Sequence, residues 1–152
     1  MTKQEYIDKA GEYFTKGYNC AQAVAAAFSD VMGLPEATVL KLSCPMGGGF
    51  ARLRYVCGAV SGMGMVAGMV YGTDSPDCKV EMYPKTRALA DRFKEEFDSI
   101  ICADLLGDMG SHKDSAQPEK RTESYYKKRS CLQCVQFAAQ IMAEDLETNG
   151  RI

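Results

Sequence analysis

Apolar side chains recur at spacings of three and four residues along most of the chain, which is the pattern of amphipathic helices. The pattern predicts a helix over 3–15, stopped by Gly17, and a second helix over about 20–32 with Asn19 as its N-cap. A short helix to about residue 43 is expected to begin at Pro35. Further helices are predicted over 79–97, about 100–106 and 131–147.

No stretch shows the alternation of apolar and polar residues that is typical of strands. We therefore predict an all-α fold. At 152 residues the chain is long enough to bury a core, and its length fits a single domain.

Residues 56–71 are apolar on every side, which predicts a buried helix. The stretch is shorter than the roughly 20 residues of a membrane span. We expect it to be the glycine-rich central helix of a bundle of about five to seven helices. Its two pairs of small residues, Gly58 with Gly62 and Gly64 with Gly68, are expected to let neighbouring helices approach closely.

Two segments interrupt the helical pattern. A proline and the triplet Gly47, Gly48 and Gly49 predict a tight loop whose backbone can approach another group closely. Residues 108–130 are polar and predict a loop or a mobile insertion. The single histidine, His112, falls in this segment, and we expect it to be solvated rather than to act as the base of a Cys–His hydrolase.

Composition and charge narrow the functional classes. A net charge of −2 gives no reason to expect nucleic acid or an anionic membrane as a partner. The polar N-terminus has no signal-peptide pattern, so we expect a cytoplasmic protein whose thiols stay reduced. Seven cysteines are many for this length, and their odd number forbids complete internal pairing. In a reducing compartment they indicate redox chemistry or metal binding more than structural disulfides.

Four cysteines fall in the first turn of a predicted helix, namely Cys20, Cys57, Cys102 and Cys131. A helix start offers free N–H groups and the positive end of the helix dipole, and this environment favours thiolate over thiol. We predict that these helix starts meet at one end of the bundle, beside the glycine loop.

Cys131 also opens a Cys-x-x-Cys motif that ends at Cys134. Residues three apart lie on one face of a helix, which would let the two sulfurs meet or share a metal. The cations at 127–129 precede the motif and are expected to lower the pKa of Cys131. Arg52 follows the glycine loop and is either a surface residue or a support for a nearby thiolate or cluster. Val135 stands where a c-type haem motif needs histidine, so no haem is expected.

These motifs resemble the redox-active family named for its C_GCAxxG_C_C cysteine pattern. The similarity extends over about 5–145, and it rests on the stretches 17–24, 47–49 with Arg52, 57–62, 102–107 and Cys131 with Cys134. The resemblance implies a small helical protein whose functional cysteines are Cys20, Cys57, Cys102 and the Cys131/Cys134 region. It extends to a domain of split-Soret cytochromes, where an iron–sulfur centre accompanies the haems. This chain has Arg54 where the family usually has glycine.

Three hypotheses for function stay open at this point. The first is a redox-active protein, an oxidoreductase or an electron-transfer protein, with an electron donor or acceptor that the sequence does not identify. Its chemistry would use clustered thiols that cycle between dithiol and disulfide. The thiols concerned are those of Cys20, Cys57, Cys102, Cys131 and Cys134.

The second hypothesis is a module that binds an iron–sulfur cluster or another metal. The candidate ligands are Cys20, Cys57, Cys102 and Cys131, with Gly47, Gly48, Gly49 and Arg52 beside the cofactor. The third hypothesis is a structural bundle in which the cysteines pack the core, because a free cysteine behaves as a small hydrophobe. In that case the glycine-dotted helix would equally suit contact with a partner subunit in a homo-oligomer.

Overall fold

The structure is a computed structural model and describes residues 1–107 and 115–152. In these ranges the chain is helical, with no strand longer than a single bridge between Val56 and Ile101. The helices are α1 Lys3–Thr15, α2 Cys20–Ala27, α3 Ser29–Met32, α4 Glu36–Ser43, α5 Gly58–Tyr71, α6 Lys79–Phe97, α7 Cys102–Leu106, α8 Glu123–Lys128 and α9 Cys131–Thr148. The predicted all-α fold is confirmed.

The start of α2 is fixed by a reciprocal cap. The Asn19 side chain accepts a hydrogen bond from the backbone N–H of Gln22 at 3.0 Å, and the Gln22 side chain accepts one from the N–H of Asn19 at 3.1 Å. This capping box satisfies two N–H groups that a helix start leaves free. It also sets the position of Cys20, the first residue of the helix.

The core is built around α2, which packs against α1, α4, α5 and α9. Its residues from Ala23 to Phe28 are completely buried. Four of these six residues are alanines, so neighbouring helices can lie close to the α2 backbone. At the far end of the helix the ring of Phe28 stacks on that of Tyr6 from α1, with centroids 4.5 Å apart.

The glycine-rich helix α5 contacts α2, α6 and α9. Gly58 and Gly62 face α2 closely, since a Cβ on Gly62 would lie 2.9 Å from the Cβ of Val24. Gly64 packs on α6 at ordinary contact distance, since a Cβ there would lie 3.6 Å from the Thr86 Cγ2. The expectation is wrong for Gly68, which is exposed and where an added Cβ would meet no described residue within 4 Å. The helix is therefore buried on one side only towards its C-terminal end. Uniform apolar composition does not show which side is covered.

Two further predictions need correction. The helix predicted over 20–32 is divided at Phe28, where the backbone leaves the helical region (φ −105°, ψ 18°) and α3 begins. The polar segment 108–130 contains α8, which begins after Thr122, whose hydroxyl accepts from the N–H of Tyr125 at 3.2 Å. The prediction for His112 lies outside the described residues.

No helix in the two described ranges combines the length and the apolar character needed to cross a bilayer.

Candidate functional site

Five of the seven cysteines line one cavity of about 60 Å³, which we call the cysteine cavity. They are Cys20, Cys57, Cys102, Cys131 and Cys134. Three of them are the first residue of α2, α7 or α9, and Cys57 is the N-cap of α5. Gly48 and Gly49 line the same cavity. The structure thus brings the four helix starts together beside the glycine loop.

The remaining two cysteines lie away from this cavity. Cys44 is exposed at the end of α4, and Cys78 precedes α6, where its sulfur accepts a hydrogen bond from the N–H of Thr73 at 3.1 Å. All seven cysteines of the chain fall in the described ranges and are free thiols.

Within the cavity the thiols contact each other in pairs across helices. Cys20 of α2 is hydrogen-bonded to Cys131 of α9, and Cys57 at the start of α5 is hydrogen-bonded to Cys134 of α9. The two cysteines of the Cys-x-x-Cys motif therefore each face a cysteine of another helix. Sequence spacing alone allowed Cys131 and Cys134 to meet, because it carries no information about which helix packs opposite.

The Cys20–Cys131 pair is polarised. The hydrogen bond from Cys20, together with the nearby guanidinium groups of Arg129, Arg121 and Arg54, lowers the pKa of Cys131 to about 7, although burial opposes the shift. Its hydrogen bond to Cys131, together with burial, raises the pKa of Cys20 well above its ordinary value. At neutral pH a large fraction of Cys131 is therefore thiolate, whereas Cys20 stays a thiol.

The pKa values of Cys57 and Cys102 are shifted the other way from that of Cys131. The hydrogen bond to Cys134 and burial raise the pKa of Cys57. Burial raises the pKa of Cys102, although Arg54 opposes the shift through its Nη1, which donates to the Cys102 sulfur at 3.7 Å. Cys57 and Cys102 are therefore protonated at neutral pH.

The cations around the thiolate differ from those that the sequence indicated. Of the three at 127–129, only Arg129 is buried and lines the cavity, whereas Lys127 and Lys128 are exposed. Arg121, which no sequence motif indicated, also lines the cavity and donates to the backbone carbonyl of Phe14 at 3.0 Å. Its guanidinium lies 4.8 Å from the ring centre of Tyr125. The sequence signal that could have indicated Arg121 is the group of arginines and tyrosines at 121, 125, 126 and 129.

The glycine loop is a left-handed turn rather than a simple flexible loop. Five consecutive residues have positive φ, from +48° to +71°, and Arg54 follows at +64°. These residues are Gly48, Gly49, Phe50, Ala51 and Arg52. Each residue with a Cβ costs roughly 1–2 kcal/mol in this conformation. Strain of this kind is concentrated at functional sites, where the surrounding structure holds it in place.

The turn delivers Arg54 into the cysteine cavity. The N–H of Arg54 donates to the carbonyl of Gly48 at 3.0 Å, and that of Tyr55 donates to the carbonyl of Gly49 at 2.9 Å. The positive φ of Arg54 is a conformation that favours glycine, the residue that the family resemblance implies at this position. Arg54 is only 5% exposed. The residue therefore combines a strained backbone with a guanidinium charge that is buried beside the thiols.

Arg52 does not lie in the cysteine cavity. It lines a larger cavity of about 300 Å³, which we call the vestibule, and pairs with Glu119 at 3.4 Å. The guanidinium that contacts a cysteine sulfur is that of Arg54. Gly47 lines the vestibule and packs on Asn19, since a Cβ on Gly47 would lie 2.4 Å from the Asn19 Cγ. The spacing of residues in the glycine loop does not show which of Arg52 and Arg54 reaches the cysteines.

The cysteines have the right chemistry for a metal, because thiolates bind zinc and iron–sulfur clusters. Their arrangement does not fit one, since no three His, Cys, Asp or Glu side chains in the described ranges are placed to hold a metal ion. An iron–sulfur cluster would also require the contacting pairs to move apart. We therefore derive no step through a metal.

We expect alkylation of Cys131 to be faster at neutral pH than that of an ordinary thiol, because its pKa is lowered. In the folded protein the rate should rise with pH with a midpoint near 7, the pKa of Cys131, and reach its plateau at higher pH, where the thiolate is fully formed. In urea the same cysteine should follow an ordinary thiol, with a pKa of about 8.5. Mass spectrometry of the peptide containing Cys131 after timed iodoacetamide exposure measures both profiles, and coincident profiles would contradict the assignment.

A second prediction concerns the left-handed turn. Gly49→Ala should destabilise the fold by about 2–5 kcal/mol, from the left-handed strain plus overpacking. A Cβ there would lie 2.6 Å from the Tyr55 nitrogen and 2.7 Å from the Cys102 Cβ. Gly33→Ala is the matched control, with a similar φ of +66° and no neighbour within 4 Å in the described structure. Urea denaturation of both variants should show the larger loss of unfolding free energy for Gly49→Ala. Equal losses would show that the backbone at Gly49 is not closely packed against its neighbours.

Comparison with known proteins identifies the family of this chain. No curated protein and no solved structure gives a significant match to this chain. The sequence model of one family matches residues 18–145, which include all five cysteines of the cavity and the glycine loop. The chain therefore belongs to the C_GCAxxG_C_C family, which carries the description "Putative redox-active protein".

Proposed function

We propose that the protein is a dithiol–disulfide oxidoreductase in which Cys131 is the attacking thiolate and Cys20 is its partner. The observation that supports this most strongly is the position of these two thiols, which line one cavity at the starts of α2 and α9 within hydrogen-bonding reach of each other. Two cysteines in contact can form a disulfide with little movement of the backbone. The neighbouring arginines and helix starts stabilise the thiolate that the reaction needs.

The reaction exchanges one disulfide for another. The Cys131 thiolate attacks one sulfur of a substrate disulfide, forms a mixed disulfide and expels the other sulfur as a thiolate. The Cys20 sulfur then attacks Cys131, closes the Cys20–Cys131 disulfide and releases the second substrate thiol. Two electrons pass from the protein pair to the substrate; the proton of Cys20 goes to one of the departing sulfurs, and the other leaves as a thiolate that takes a proton from solvent.

Cys57 and Cys134 form a second dithiol behind the first. They are 5% and 2% exposed and belong to the hydrophobic core, so a substrate disulfide cannot reach them directly. In this scheme they are oxidised only by exchange with the Cys20–Cys131 disulfide. Their burial also agrees with the packing role that cysteines have in many cores.

Thiol titration tests the proposal. The reduced protein is exposed to a neutral disulfide, 2-hydroxyethyl disulfide, and free thiols are then counted in denaturant. We expect one rapid loss of a pair of thiols, restored by a reductant and unaffected in Cys78→Ser, whose sulfur lies outside the cavity. A thiol count that never changes would contradict the proposal and favour the cysteines as core packing.

The metal hypothesis is tested on the same protein. Anaerobic purification followed by iron, zinc and sulfide analysis should find amounts far below one equivalent per chain if the dithiol is the working form. A stoichiometric metal or cluster that is lost on replacement of Cys20 would overturn the proposal in favour of the binding module.

A further inference from the structure

The vestibule joins the cysteine cavity and carries a strong excess of positive charge. The two cavities share Arg54, Arg121 and Arg129 as lining residues, and the vestibule adds Arg52. Among the described residues, one carboxylate, that of Glu119, lines the vestibule against these four guanidinium groups. Glu119 pairs with Arg129 at 2.6 Å and with Arg52 at 3.4 Å, so it is shared between two of them.

The other two guanidinium groups have no carboxylate partner among the described residues. Arg121 donates to the backbone carbonyls of Phe14 and Tyr18, both at 3.0 Å, which orient it without neutralising its charge. Arg54 is 5% exposed, and its Nε is buried with no hydrogen-bond partner in the described part of the chain. A buried donor left unpaired costs roughly 1–3 kcal/mol. Such a donor indicates a ligand that supplies the acceptor.

The dimensions of the vestibule favour a small molecule. Its volume of about 300 Å³ lies at the lower end of the range for small-ligand sites. Guanidinium groups bind carboxylates and phosphates through paired N–H donors. A small oxyanion-bearing molecule in the vestibule would lie next to the cavity that contains Cys131.

On the basis of the proposed function, we propose that the substrate is a small disulfide that carries anionic groups. The arginines bind its anionic end in the vestibule and direct its sulfurs towards Cys131. The electron balance is that of the exchange given above, with the anionic disulfide reduced to its two thiols and the Cys20–Cys131 pair oxidised.

Three disulfides of similar size but different charge test this inference. They are 3,3′-dithiodipropionate (a dianion), 2-hydroxyethyl disulfide (neutral) and cystamine (a dication). Each rate of reaction with the reduced protein is divided by that with 2-mercaptoethanol, which removes the intrinsic reactivity of the probe. At low salt the normalised rate of the dianion should exceed that of the dication by roughly 10- to 1,000-fold. The difference should shrink in 1 M salt.

Arg52→Gln should reduce the dianion-to-dication ratio, because Arg52 lines the vestibule without contacting a cysteine sulfur. Lys128→Gln is the charge-matched control and should leave the ratio unchanged, because Lys128 is exposed and lines neither of the two cavities. Equal normalised rates for the three probes in the unmodified protein would overturn the inference while leaving the dithiol proposal intact. No reaction with any probe, the neutral one included, would instead refute the proposed function itself and the inference with it.

Discussion

Cys131→Ser is expected to lose disulfide-exchange activity almost completely, with the rate falling on the order of 10³-fold or more, as is common when a nucleophile is removed. Serine keeps the size of the side chain, but its hydroxyl is not ionised at neutral pH and cannot attack a disulfide. Among the cysteines of the cavity with a shifted pKa, only Cys131 has its pKa lowered, so we expect no other thiol to replace it at a comparable rate.

The measurement is the release of thiol from 2-hydroxyethyl disulfide under pseudo-first-order conditions. Cys78→Ser is the matched control, because it removes a thiol from outside both cavities and should react like the unmodified protein. Urea denaturation shows whether each variant is folded. A folded Cys131→Ser protein with a rate within a few-fold of the unmodified one would show that another cysteine is the nucleophile.

Cys20→Ser is expected to stop the reaction halfway. Cys131 still attacks the substrate, because the serine hydroxyl can donate a hydrogen bond to its thiolate. The variant has no thiol at position 20 to resolve the product. The mixed disulfide between Cys131 and half of the substrate should therefore accumulate to about one equivalent, and intact-protein mass spectrometry would detect it as a defined mass increase.

Cys20→Ala separates the two roles of Cys20. Alanine removes the hydrogen-bond donor as well as the resolving thiol, and that donor is the main cause of the lowered pKa of Cys131. The alkylation profile of Cys131 should therefore shift to higher pH in Cys20→Ala and much less in Cys20→Ser. If neither variant accumulated the mixed disulfide, resolution would not depend on Cys20. The neighbouring Cys134 would then be the candidate for that role.

The helices were largely readable from the sequence because local signals agree with the packing. Asn19 is the N-cap of α2 as predicted, and the apolar spacing placed α6 and α9 within one residue at each end. Helix α8 was not predicted because its six residues are too few to show an apolar periodicity. Its position depends on the aromatic and cationic contacts of Tyr125 with Arg121 and Arg129.

The candidate site was predictable as a set of residues but not as a geometry. The helix starts and the glycine loop could be recognised in the sequence because each has a local signal. They identified the cysteines that line the cavity. The pairing of Cys20 with Cys131 depends on which helices pack together, which no local pattern records. Arg54 was the hardest to assign, since its role follows from a left-handed backbone that the sequence disfavours for any residue with a Cβ.

The central claim is that Cys20 and Cys131 form the working disulfide, and peptide mapping tests it most directly. The reduced protein is oxidised with a limiting amount of disulfide, its remaining thiols are blocked with iodoacetamide, and the protein is digested without reduction and analysed by mass spectrometry. The account predicts that the first linked peptides to appear join Cys20 with Cys131. A first disulfide between Cys131 and Cys134, or one that involves Cys44 or Cys78, would contradict it.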